Sequence, residues 1–343
     1  MGAMVPHEDD VTEVTTDGPS NAGRSVTTAR DSTRRAPSRR HARRVDVPVP
    51  RRVPVRELVV FLAVTFAGVS AVGVAWGMLG DIHDAGDQLR FGGVAMFTPA
   101  VGMLAAAASS GQLRSPRDFL ELTGLVPHRP LRRLAGHLLL GIAIPLGIVA
   151  TALALAVALG RFQLHQPFPV AGLMSAMAIG LVSLVPATVL VLGEELGWGY
   201  LLPRLLPLGL WPGMLAAGLL WGLFHAPLTM QGYGYPGLDG LRATVMFTTA
   251  HVLLGIVMAW IRLSSNSIWP AVALHGSSNM IANQIPAAVG TTDPTPGFTV
   301  LVPTSWLTWL AMLALIAAIA AVGGFRRLSL IPFHPCSDPP RSL

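Results

Sequence analysis

Glu194 and Glu195 stand side by side in a run that is otherwise apolar from Ala187 to Trp198, and the next cation is Arg204. Downstream, one apolar run ends Trp221-Gly-Leu-Phe-His225, and another contains His275-Gly-Ser-Ser-Asn279. An ionisable group at membrane depth costs about 2.5 kcal/mol or more, so such residues mark function by default. Three apolar segments that supply Glu, His, and His with Asn point to hydrolysis inside a membrane. Consecutive helical residues diverge by about 100°, so one glutamate at most faces a given cavity. A carboxylate in a pocket poor in water suits a general base acting on water. His275 and Asn279, four residues apart, share a helix face, as do Trp221 and His225. The Asn279 amide is placed to donate to a developing oxyanion. Each signal also has a plainer reading. The glutamates would simply end a span at the headgroups, His225 would be a satisfied core residue, and His275 with Asn279 an interhelical pair. His251, alone in another run, is read in that plainer way.

Depth brings the set together. His225 lies about 13 residues into its run and His275 about 8 residues into its own, roughly 20 Å and 12 Å at 1.5 Å per residue. The apolar pattern resumes after Glu195 through Leu202, which carries the glutamates below the nominal boundary. A shared cavity in the cytoplasmic half of the bilayer follows. Glu194, His225 and His275 there would be a ligand set for a divalent metal such as Zn²⁺ with one open position. Without a metal, the same residues make a glutamate base with His and Asn donors. Spacing alone leaves both open.

The elements that must position these residues are helices in a bilayer. The 343 residues are 52% hydrophobic and 12% charged, with mean hydropathy +0.55. Soluble domains carry about 25% charge. About eight spans of crossing length follow one another at 58–80, 91–110, 134–158, 171–193, 212–231, 243–262, 267–287 and 304–324. The expected fold class is therefore all-α, a polytopic membrane helix bundle of about eight transmembrane helices. All 24 basic residues are arginine, and ten precede Pro54. They flank the apolar runs, which reads as a topology signal and attraction to anionic membrane lipid, not as a nucleic-acid surface. Arg51, Arg52, Arg56, the 111–133 loop, Arg204, Arg262 and Arg326 with Arg327 fall on one side, so both termini are expected in the cytoplasm, at the cell membrane. Ser115 to Leu122 has an apolar face and suits a short interfacial helix. Residues 1–53, rich in Ser, Thr, Pro and Arg, are expected to form a disordered cytoplasmic tail. Residues 326–343 are expected to form a short unstructured one. The single cysteine, Cys336, rules out an intramolecular disulfide and a cysteine metal site.

The stretch from Glu194 to Arg204, then Trp221 to Leu228, then Leu274 to Asn279, resembles in that order the CPBP family. Its members are CAAX prenyl endopeptidase and bacteriocin-processing-like (Abi) intramembrane proteases. The family pattern is EExxxR, FxxxH, then HxxxN, on an eight-helix fold. The resemblance covers 56–325, and Pro99 and the Gly232 to Gly237 loop also fit it. It implies that Glu194 activates water, with Glu195 in support. His225 and His275 would bind metal or orient the water, and Asn279 would stabilise the oxyanion. The substrate would be a membrane-associated protein or peptide. Trp221 stands where the family often has Phe, and Gly199 stands where the motif arginine, expected to pair with a motif carboxylate, would be. Two other classes fit the same residues: a non-catalytic immunity factor or scaffold, and a proton-coupled transporter.

Overall fold

In lipid every backbone N–H and C=O must bond within the protein, and this apolar chain meets that demand with helices. A computed structural model of the protein describes residues 45–333, apart from 83, 127–129, 236–237 and 293–304. The tail expected to be disordered lies outside the described residues up to residue 44, as does the chain after residue 333.

The elements run β1 (Val45–Pro50), α1 (Val55–Leu79), α2 (Ala85–Asp87), α3 (Gly93–Ser109), α4 (Pro116–Thr123), α5 (Leu131–Ala158), β2 (Phe162–Leu164) and α6 (Val170–Leu205). They continue α7 (Leu210–Phe224), α8 (Ala226–Thr229), α9 (Gly240–Ser265), α10 (Trp269–Met280), α11 (Ile285–Val289), β3 (Gly290–Thr292), α12 (Trp306–Ala321) and β4 (Leu328–Phe333). Among the described residues five stretches are long and apolar enough to cross a membrane: Val55–Leu79, Ala85–Ser109, Leu131–Ala158, Val170–Leu208 and Gly240–Ser265. The shorter α7, α10 and α12, of 15, 12 and 16 residues, complete the bundle. The protein is a multi-pass helical membrane bundle.

Two pairs of glycines lie at close helix crossings. Gly193 and Gly197 on α6 face α3, where a Cβ on Gly197 would stand 2.7 Å from the Pro99 carbonyl oxygen. Gly218 and Gly222 on α7 face α9, where a Cβ on Gly222 would stand 2.6 Å from Thr248 Cα. Small residues four apart let backbones touch, which is how helices associate in lipid without a hydrophobic driving force. The remaining contacts place α10 against α5 and α6, and α12 against α5 and α9.

Three expectations are corrected. The span ending at 193 continues as α6 to Leu205, because Leu196, Trp198 and Tyr200 to Leu202 still bury apolar side chains. The span drawn over 212–231 breaks after Phe224: Pro227 has no N–H to offer the Leu223 carbonyl, so α7 stops and α8 restarts at a new angle. The span over 267–287 likewise ends at Met280 and resumes as α11. The tails change too. β1 and β4 pair in parallel from Val45 with Leu328 to Pro50 with Phe333, so neither terminal segment is unstructured throughout. The alternation of Val47 and Val49 supplies one apolar face. Val47 and Val49 bury it against Leu202, Leu206 and Met214. The helix expected over Ser115 to Leu122 is present as α4.

Candidate active site

Because α6 runs past residue 193, Glu194 and Glu195 lie inside a helix and inside the protein, at 2% and 4% exposure. They diverge as consecutive helical residues must. Glu194 opens onto a cavity of about 760 Å³, whereas Glu195 points toward α10.

Glu194 Oε1 accepts the indole N–H of Trp198 at 3.3 Å, one turn along α6. It also accepts the indole N–H of Trp221 from α7. His225 closes α7 at the break before Pro227. Its Nδ1–H donates to the Trp221 carbonyl at 2.9 Å, so the neutral ring turns an unprotonated Nε2 toward Glu194 Oε1, 3.8 Å away. His275 Nδ1–H donates to Glu195 Oε1 at 2.8 Å, so in the neutral ring Nε2 is the unprotonated nitrogen. Asn279, one turn beyond on α10, lines the large cavity with Glu194, His225 and His275. Four of the five expected residues therefore border one space. Glu195 does not border it and acts only through His275.

Two residues on that space were not singled out by the sequence. His251 on α9, set aside as a core histidine, stacks on Phe247 at 4.2 Å and lies 4.7 Å from the His225 ring. Its place on the face of α9 turned to α7 was the available signal. Tyr233, on the loop beyond α8, borders the cavity too. Burial raises its hydroxyl above the ordinary tyrosine range, and the charge of Glu194 adds to this, so it stays a protonated donor.

Arg204 does not serve the glutamates. Its Nε pairs with Glu57 Oε2 of α1 at 2.6 Å, and its Nη2 donates to Gln112 Oε1 at 2.9 Å. The guanidinium also lies over the Tyr200 ring. A different arginine, Arg262 of α9, approaches the glutamates from beside Gly199. Glu194, His225 and His275 border the cavity but are not drawn together around one point in this structure. Among the described residues no three His, Cys, Asp or Glu side chains converge on a point that would hold an ion. Glu194 Oε1 is already met by two indole donors.

Residues 177–281, the stretch that carries Glu194, Glu195, His225, His251, Arg262, His275 and Asn279, match the family Type II CAAX prenyl endopeptidase Rce1-like. That match supports CPBP family membership. No curated protein matches the chain. At the family level that match supports an intramembrane CAAX-type endopeptidase, and the matched stretch runs from α6 through α10.

Proposed function

We propose that residues 56–325 form a protease domain that hydrolyses peptide bonds of a membrane-associated protein or peptide near the cytoplasmic leaflet of the cell membrane. One observation carries the reading: Glu194, His225, His275 and Asn279, from three separate helices, border one cavity. Glu194 takes a proton from water, and the nascent hydroxide attacks the substrate carbonyl carbon. The carbonyl oxygen gains the negative charge and accepts a hydrogen bond from the Asn279 amide. Glu194 then passes its proton to the amine as the carbon–nitrogen bond breaks. The second hydrogen of the attacking water is accepted by an unprotonated Nε2, that of His225 or that of His275, which orients it. The pairing of β1, before the first span, with β4, after the last, supports termini on one side of the membrane, which the arginine distribution makes cytoplasmic.

The test is N-terminal peptide profiling of membranes from cells expressing wild type or Glu194→Gln at matched levels. New termini present only with wild type are the expected result and name the substrate. Identical profiles from two folded proteins would favour a non-catalytic scaffold.

A further inference from the structure

Arg262 stands in the last turn of α9, 6% exposed. Its Nη2 donates to the Thr123 carbonyl at the end of α4, 3.3 Å away. Its Nε–H has no partner among the described residues. A buried guanidinium N–H without an acceptor is costly, so its surroundings should supply one. Beside it α6 presents Gly199, where a Cβ would lie 3.7 Å from Nε. The guanidinium lies along the helix at ordinary contact distance, and a small, partly open space of about 40 Å³ remains between them. Glu195, Trp198, Gly199, Trp221 and Arg262 border it. A volume of this size holds one or two waters where polar groups face it, and Glu195 with Arg262 are such groups. Their opposite charges also attract across it.

We propose that Arg262 is a positioning residue. Water in this space carries a hydrogen bond from Nε–H to the Glu195 carboxylate and holds that carboxylate where it accepts His275 Nδ1–H. Arg262 thus acts three groups away from the reaction, by fixing which nitrogen of His275 turns to the large cavity. Its effect on turnover rests on the peptidase reading, but its effect on the imidazole does not.

The first arm is ¹⁵N solid-state NMR of the full histidine-labelled protein in bilayers, with the His275 signals assigned by their loss in His275→Gln. Wild type is expected to show a single tautomer protonated at Nδ1, and Arg262→Leu a mixture. An unchanged His275 tautomer in folded Arg262→Leu overturns the proposal. The second arm uses the substrate found by Glu194-dependent profiling. Arg262→Leu is expected to lower kcat by up to about 100-fold through misplacement alone, with KM unchanged and partial recovery in Arg262→Lys. An effect on KM alone overturns the positioning role. Gly199→Ala fills the small space while leaving the tether to Thr123 intact, and replaces a helical glycine by a better helix former. It is expected to raise the thermal midpoint yet lower kcat, and it decides the matter if Arg262→Leu does not fold. Should wild type and Glu194→Gln prove equally inert, the peptidase reading fails and the tautomer measurement alone judges Arg262.

Discussion

The indole N–H of Trp221 donates to Oε1 of Glu194, the same carboxylate oxygen that His225 Nε2 faces at 3.8 Å. One residue of α7 therefore aims the carboxylate of α6 at the imidazole that its own backbone carbonyl orients. Trp221→Phe keeps an aromatic ring in place but removes the donor. It should destabilise the protein by about 1–3 kcal/mol, the usual cost of an unmet buried polar partner. A lowered thermal midpoint in detergent checks this, and an unchanged one would show that the Trp198 indole suffices.

Asn279 borders the cavity from the last turn of α10. Asn279→Ala should leave the thermal midpoint nearly unchanged and lower kcat by about 100- to 1000-fold, as loss of one oxyanion donor does elsewhere. A stability loss with intact turnover would make Asn279 a packing residue.

Sensitivity to chelators follows from the fit of the donor set. Because Glu194, His225 and His275 do not converge on an ion, incubation with a strong chelator should leave turnover unchanged. Loss of activity that returns on adding Zn²⁺ alone would show that the three close on a metal in the working enzyme.

Arg204 and Glu57 join α6 to α1 with both side chains largely buried, at 4% and 13% exposure. Glu57→Gln leaves the guanidinium in the interior without its counter-charge and should cost about 3 kcal/mol. Glu57→Gln with Arg204→Met should recover much of that. Denaturation midpoints of the three proteins decide it.

The helical bundle was legible because composition and apolar run length act on every segment alike. The residues bordering the large cavity were legible because Glu, His and Asn stand out against apolar neighbours. What escaped depends on partners distant in sequence. α6 continues beyond Gly193 because α1, α3 and α7 cover it there, and nothing within Leu196 to Leu205 announces those neighbours. β1 exists only beside β4, near the other end of the chain. Arg204 follows the glutamates closely yet turns to Glu57, 147 residues earlier. Arg262, which the arginine distribution counted only as a topology signal, reaches the level of Glu195 from a different helix. The break at His225 was the one local feature available in advance, since Pro227 two residues later forbids the hydrogen bond that a continuous helix needs.

Glu195 meets His275 across 80 residues of chain. At synthesis rates of about 5–20 residues per second, α6 waits roughly 4–16 s for that partner to emerge from the ribosome. During the wait the segment carries Glu194 and Glu195 without His225 and His275, each carboxylate costing about 2.5 kcal/mol or more at membrane depth. Settling of α6 in the bilayer is therefore coupled to the arrival of α7 through α10, and the insertion machinery must shelter a half-finished bundle until those helices emerge.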